Sequence, residues 1–236
     1  MLLCSLNFYE LFRKPHLRKL PKKAAVSAAM GRPPLAALYN PTVEATKSPE
    51  FDPKRPVGSA AAVLRGIFLA PRSFYLNFPA EGPLREPAFF VLLVSAVSGV
   101  LSVVINIISG AIFGTSASFP GVLALNLAFV GLSPILVGAA AGAYLLSVRT
   151  FVGSEGSFRE VYRMLAYAYG AMILFWLPVV NAFAFTYAAF VLMLLGIRSV
   201  YRTSFLTGLI TTLAGFVPVG VAFIYLVVAA NELVVR

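Results

Sequence analysis

Ionisable residues are scarce in this sequence, and three long stretches lack them entirely. Asp, Glu, Lys and Arg make up only 12% of the 236 residues, whereas soluble domains carry about 25%. None of these, and no His, occurs in residues 87–148, 164–197 or 203–231. One such charge at the centre of a bilayer costs roughly 2.5–3.5 kcal/mol, so spanning helices require stretches of this kind. With 59% hydrophobic residues, the chain is predicted to be a multi-pass integral membrane protein.

Cysteine and histidine are nearly absent. The chain has one Cys, Cys4, and one His, His16. An intramolecular disulfide is therefore excluded, and so is a zinc site of the usual three or four Cys and His ligands. The charge-free stretches also hold no general base that could activate a serine or threonine. We expect no enzymatic activity, no cofactor and no metal site.

Positive charge is concentrated near the N-terminus. The formal net charge is +10, and 13 of the 19 Lys and Arg precede residue 87. A basic segment beside membrane helices is explained by the positive-inside rule and by attraction to anionic lipid headgroups. We therefore expect contacts with the lipid bilayer and its anionic headgroups, and no binding to nucleic acid.

The N-terminal part divides into two zones of different composition. Residues 1–59 are basic and proline-containing without a sustained apolar period, which predicts a disordered cytoplasmic tail; Met30 within it is a second candidate start. Residues 60–87 mix aromatic residues with Arg65 and Arg72. This mixture fits a segment in the headgroup plane, or equally a cytosolic segment packed on the bundle.

The remaining chain is predicted to be an all-α helical bundle with about five transmembrane helices, because each crossing needs about 20 apolar residues. The predicted spans are residues 88–112, 120–148, 162–179, 182–200 and 204–230. The third and fourth form a hairpin, since one continuous helix would be about 58 Å long, roughly twice the hydrocarbon thickness. Pro218, between Gly215 and Gly220, predicts a kink in the fifth.

Charge counting sets the predicted orientation. Basic residues occupy the N-terminal side and alternate connections, at Arg149, Arg159 and Arg163 and again at Arg198 and Arg202. With five spans, every basic connection lies on the cytoplasmic side. The N-terminus is then cytoplasmic and the C-terminus outside.

Small residues mark candidate sites of helix packing. Gly138 and Gly142 form a GxxxG motif in the second span, and Ser95 and Gly99 form a weaker pair in the first. Such pairs let two backbones approach closely. Packing within this bundle and formation of a homo-oligomer both remain open.

A family resemblance is carried by Gly, Pro, Phe and Tyr residues around the third span. The motifs are Pro71-Arg-Ser-Phe-Tyr75, Gly153-Ser-Glu-Gly-Ser-Phe-Arg159 leading into Tyr162-Arg-Met-Leu-Ala-Tyr167, and Leu177-Pro-Val-Val-Asn181. Their order resembles the Yip1 domain family over about residues 61–230. The resemblance implies a cytosolic N-terminal part, an interfacial stretch and five spans. Eukaryotic members look like trafficking factors that contact prenylated Rab GTPases.

The composition, rich in Ala, Gly, Val and Arg, is typical of a prokaryotic cell membrane protein, and prokaryotes lack Rab partners. The leading hypothesis is therefore a non-enzymatic scaffold that recruits a membrane or cytosolic protein, or anionic lipid, through its cytoplasmic face. The candidate residues of that face are Arg149, Arg159, Arg163, Arg198 and Arg202. The alternative is a small passive transporter or permease component, since a pump would carry ionisable residues within the membrane.

Overall fold

A computed structural model describes residues 47–113, 119–153, 156–177 and 179–235 of the chain. Within these four ranges the secondary structure is helical, with no strand, so the predicted all-α membrane bundle is confirmed. Most of the predicted tail, residues 1–46, lies outside the described residues.

Eight α-helices follow one another in the described residues. They are α1 (Pro56–Leu69), α2 (Pro71–Leu76), α3 (Arg85–Phe113), α4 (Phe119–Phe151), α5 (Phe158–Ala168), α6 (Asn181–Thr186), α7 (Met193–Val200) and α8 (Phe205–Val235). A 3-10 helix, Tyr169–Leu174, continues α5. A π-helix, Tyr187–Leu192, joins α6 to α7.

Within the described ranges, four helices are long and apolar enough to cross a membrane, against the five spans predicted. They are Arg85–Ile112, Phe119–Phe151, the α6–π–α7 unit at Asn181–Val200, and Phe205–Ala229. The first, second, fourth and fifth predicted spans agree with them in position. Both α4 and α8 continue through an internal proline, Pro134 and Pro218.

The third predicted span, residues 162–179, is helical but is not one continuous α-helix. The chain forms 11 residues of α-helix and 6 of 3-10 helix, which together rise about 28 Å, and then turns at Phe175 and Trp176. The segment still runs across the bundle, because the rings of Phe175 and Phe129 stack with centroids 6.4 Å apart. Along α4, Phe129 lies about 30 Å from Arg149, a distance close to the thickness of the hydrocarbon core.

Enclosure explains why this segment differs from the other four. Every residue of α5 from Val161 to Ala168 is buried, whereas α8 exposes much of its apolar surface, including Ile224 and Tyr225. A helix shielded by its neighbours does not have to be apolar on every side. Charged residues can therefore lie in its first two turns.

Residues 47–87 fold onto the bundle, which favours packing over an independent position in the headgroup plane. The ring of Phe68 stacks on Tyr187 at 6.1 Å, and the Tyr187 hydroxyl donates to the carbonyl of Ile67 at 2.8 Å. Ser48 and Phe51, which the sequence assigned to the disordered tail, are both buried. The boundary of the folded part therefore lies before residue 48, since these two side chains belong to the core.

Candidate functional site

Three separate parts of the chain lie together at one end of the bundle. The Tyr201 hydroxyl donates to Glu160 Oε2 at 3.1 Å, which joins the end of α7 to the start of α5. Arg163 Nε donates to the carbonyl of Pro79 at 3.1 Å, which joins α5 to the N-terminal segment. We call residues 47–87, 149–153, 156–163 and 198–202 the basic end. That it faces the cytoplasm stays a prediction from charge counting.

Helix α5 begins at the basic end with a capping box. The Ser157 hydroxyl accepts from the Glu160 amide at 3.2 Å, and Glu160 Oε2 accepts from the Ser157 amide at 3.3 Å. Two amides that have no partner within the helix are thereby satisfied. Glu160 is thus held by Ser157 and Tyr201. Burial and the nearby Glu160 carboxylate raise the pKa of the Tyr201 hydroxyl, so Tyr201 remains a neutral donor.

Arg163 is the most enclosed charge of the basic end. Its side chain is fully buried. Besides the bond to Pro79, Nη1 donates to the carbonyl of Pro83 at 2.8 Å and Nη2 pairs with Glu50 Oε1 at 2.7 Å. A buried guanidinium is tolerated when its donors are satisfied in this way. Arg163 therefore fastens the N-terminal segment to α5.

Arg163, a predicted residue of the cytoplasmic face, is not an exposed cation, because Glu50, Pro79 and Pro83 enclose it. Arg149 and Arg159 are exposed at the basic end. That these two residues form part of a cytoplasmic face stays a prediction.

An aromatic cluster packs beneath Arg163. The Phe51 amide donates to the Tyr167 hydroxyl at 3.3 Å, and the rings of Phe90, Phe74 and Phe78 surround Tyr167 with centroids 5.5, 6.2 and 5.9 Å away. Aromatic pairs of this kind contribute about 0.5–1.5 kcal/mol each beyond the area they bury. The cluster makes the N-terminal segment a fixed part of the basic end.

Arg198 and Arg202 lie at the end of α7, beside α2. The guanidinium of Arg198 lies over the ring of Phe205, 5.2 Å from its centroid. Arg202 is exposed and has a φ of +50°, in the left-handed region. Together with Arg72 they line a cavity of about 480 Å³ between α2 and α7.

The four small residues predicted to pack helices have different surroundings. Ser95 is buried, and its hydroxyl lies 2.9 Å from the Tyr169 hydroxyl. A Cβ on Gly99 would lie 3.4 Å from Asn126 Oδ1 of α4, so Gly99 lies at the α3–α4 contact. A Cβ on Gly138 would lie 3.7 Å from the Tyr162 ring, whereas one on Gly142 would meet nothing within 4 Å. Association of a second copy through Gly138 and Gly142 stays a prediction.

Sequence reasoning missed two contributors to the basic end. Glu50 lies 113 positions from its partner Arg163, and no local pattern announces a pair so distant in sequence. Ser157, by contrast, stands three residues before Glu160, and this Ser-x-x-Glu spacing signals a helix start.

A second cavity lies within the bundle and is apolar. It measures about 350 Å³, and Ser133 and Tyr169 are its hydroxyl-bearing lining residues. Both hydroxyls are engaged, Ser133 with the Val130 carbonyl at 2.9 Å and Tyr169 with Ser95. In the described part of the chain no group of three or more His, Cys, Asp or Glu could hold a metal ion. Because both of its hydroxyls are already bonded, the cavity offers no polar path through the bundle.

These features define a multi-pass membrane protein whose helices meet at a basic, internally bonded end. The sequence model of the Yip1 domain matches residues 65–229. The match covers well over half of the chain, and the chain belongs to the Yip1 domain family. The resemblance noted in the sequence is thereby confirmed. No curated protein and no solved structure shows significant similarity to the chain.

Proposed function

We propose that this protein is a non-enzymatic membrane scaffold that recruits a protein partner or anionic lipid through its basic end. The observation that carries the proposal is the gathering of three separate basic parts at one end of the bundle. Tyr201–Glu160 and Arg163–Pro79 join these parts directly. A rigid face loses little conformational entropy when a partner binds to it.

The charge of this face supports recruitment of an acidic partner. Arg149 and Arg159 are exposed at the basic end, and so are Arg72 and Arg202. Exposed cations beside a membrane attract anionic headgroups and acidic protein surfaces, with about 1 kcal/mol per residue near an anionic leaflet. From the composition we infer that the membrane is a prokaryotic cell membrane.

The apolar cavity does not favour the alternative function of a passive transporter. A path for a polar solute needs hydrogen-bonding groups along its length. The two hydroxyls of that cavity are already bonded to other groups of the protein.

Co-purification from native membranes in a mild detergent tests the proposal. We expect the wild type to retain one partner at fixed stoichiometry. The double variant Arg149→Gln/Arg159→Gln should lose it, because both cations are removed from the exposed face. The matched control is Arg149→Lys/Arg159→Lys, which keeps both charges and should keep the partner.

Solute flux provides the opposing outcome. Purified protein in sealed liposomes should release a trapped dye or salt no faster than empty liposomes do. Flux with a defined selectivity would remove the scaffold proposal in favour of a transporter. Equal retention of the partner by the Gln and Lys double variants would show that the basic end does not recruit it.

A further inference from the structure

We propose that the cavity between α2 and α7 is a binding site for a phosphate group, carried by an anionic lipid headgroup or by a free phosphate compound. The inference deepens the proposed function and rests on it, because it names what the basic end recognises. It concerns arginines of the basic end other than Arg163, which is already paired with Glu50.

Three arginines from two separate parts of the chain line this cavity. Arg72 comes from α2, Arg198 from the last turn of α7, and Arg202 from the connection that follows. The cavity measures about 480 Å³, which is ample for a phosphate group with part of its headgroup. Its apolar lining includes Leu76 and Leu195, which suits the glycerol or alkyl part of a lipid.

The lining carries positive charge without a compensating carboxylate. Its ten residues include no Asp or Glu. Three like charges around one cavity repel each other, and the repulsion is stronger where the surroundings exclude water. A bound anion would remove this repulsion.

One donor of the cavity is also unsatisfied. Arg198 Nε is buried and has no hydrogen-bond partner among the described residues. A buried polar atom without a partner is destabilising. Thr203 Oγ1, close by in the chain, is buried and unpaired within the same described ranges. Of these two residues Arg198 lines the cavity and Thr203 does not, so the unpaired donor of Arg198 is the one that supports a ligand there.

Contacts within the protein hold the side chain of Arg198 before a ligand arrives. The guanidinium of Arg198 rests over Phe205, and its Cγ would lie 2.5 Å from a Cβ placed on Gly208. Arg202 adopts the left-handed backbone conformation at a φ of +50°, which is unfavourable for a non-glycine residue. Fixed donors lose less freedom when they bind.

The chemistry of arginine favours phosphate among anions. Guanidinium groups present donors in a planar fork that matches the oxygens of a phosphate. A phosphomonoester carries between one and two negative charges near pH 7 and has three acceptor oxygens. Three converging arginines match both its charge and its acceptors better than they match a single carboxylate.

Binding is measured on the full chain, purified in detergent, with two probes. Native mass spectrometry counts bound dioleoyl phosphatidic acid, with dioleoyl phosphatidylcholine as the reference lipid. Thermal unfolding, followed through the single Trp176, measures stabilisation by inorganic phosphate with equimolar chloride as the reference. We expect selective binding of phosphatidic acid, stabilisation by phosphate, or both. Lipid binding alone identifies the headgroup as the source, and phosphate binding alone identifies a soluble compound.

Two exposed arginines serve as test positions, so that loss of folding does not obscure the result. Arg72→Gln and Arg202→Gln should each weaken binding of the positive probe by about tenfold or more, because each removes a charge-assisted hydrogen bond. Arg65→Gln is the matched control: it removes an exposed arginine of α1 that does not line the cavity. Its affinity should stay within about twofold of the wild type.

Two results would overturn the proposal: binding of neither probe by the wild type, or equal weakening by Arg65→Gln and the cavity variants. These outcomes are separable from failure of the scaffold proposal. Failure of the scaffold proposal is measured by partner retention in the Arg149 and Arg159 variants. Neither Arg149 nor Arg159 lines the cavity.

Discussion

Arg163 Nη2 lies 2.7 Å from Glu50 Oε1, which ties the first described residues of the chain to the interior of the bundle. Arg163 is fully enclosed, whereas about a quarter of the Glu50 side chain, 28%, is exposed. Arg163 is therefore the buried member of the pair, and Glu50 is the member in contact with solvent. The pair holds the N-terminal segment in place.

Replacing Arg163 by Lys should destabilise the protein by about 3 kcal/mol. A lysine has one nitrogen and cannot reach Glu50 and the carbonyls of Pro79 and Pro83 together, so buried acceptors lose their donors. The measurement is the free energy of unfolding in detergent. Arg159→Lys is the control on the same helix, because Arg159 is exposed, and it should change stability by less than about 0.5 kcal/mol. Equal effects of the two substitutions would contradict the role assigned to Arg163.

Gly82→Ala should destabilise the protein more than Gly153→Ala does. Both glycines have positive φ, +140° and +122°, so alanine strains the backbone at each, by about 1–3 kcal/mol. Only at Gly82 would the new Cβ also meet the guanidinium of Arg163, 2.6 Å from Nη1, whereas at Gly153 nothing lies within 4 Å. The difference between the two melting temperatures isolates that contact. A Gly82→Ala protein as stable as Gly153→Ala would show that Arg163 moves aside freely.

Tyr201→Phe should cost about 1 kcal/mol at neutral pH, because the bond to Glu160 is lost. The pKa of the Tyr201 hydroxyl is raised by burial and by Glu160, so the unfolded state ionises first, near pH 10. Wild-type stability is then complete below pH 10 and declines above it, whereas the variant lacks this contribution to the decline. The gap between the two unfolding free energies should narrow as the pH rises from 9 to 11. A gap independent of pH would contradict the buried neutral donor.

Labelling with a membrane-impermeant maleimide tests whether α5 and its 3-10 extension count as a crossing. In a Cys4→Ser background, Ala117→Cys and Thr150→Cys should react from opposite sides of the membrane, because α4 separates them. With five crossings, Glu232→Cys reacts from the same side as Ala117→Cys. If it reacts from the side of Thr150→Cys instead, the α5 segment does not cross.

The long helices could be predicted from sequence because their determinant is local. Absence of charge over residues 87–148 reports the cost of charge in hydrocarbon at each position, and α3 and α4 occupy those residues. The segment around Tyr169 could not be predicted as well. Hydropathy does not distinguish α-helix from 3-10 helix, and burial among neighbouring helices removes the requirement for apolar residues.

The candidate site was predictable only in its position. The spacing of Arg149, Arg159, Arg198 and Arg202 between apolar stretches placed them at one end of the bundle. The enclosure of Arg163 depends on Glu50, which lies in a segment without periodicity, and on the carbonyls of Pro79 and Pro83. Contacts between such distant positions arise from tertiary packing and leave no local signal.

The π-helix at Tyr187–Leu192 also determines the direction in which the end of α7 faces. Such a turn amounts to one residue inserted into an α-helix, and the Tyr144 hydroxyl satisfies a carbonyl within it, that of Ala189. Deleting that one residue would restore regular winding and rotate everything beyond it by about 100°. Arg198 would then swing out of the space beside α2, and Tyr201 would point away from Glu160. One extra residue in the π-helix, some ten positions earlier and within the bundle, therefore sets the rotation at which the residues of the basic end leave α7.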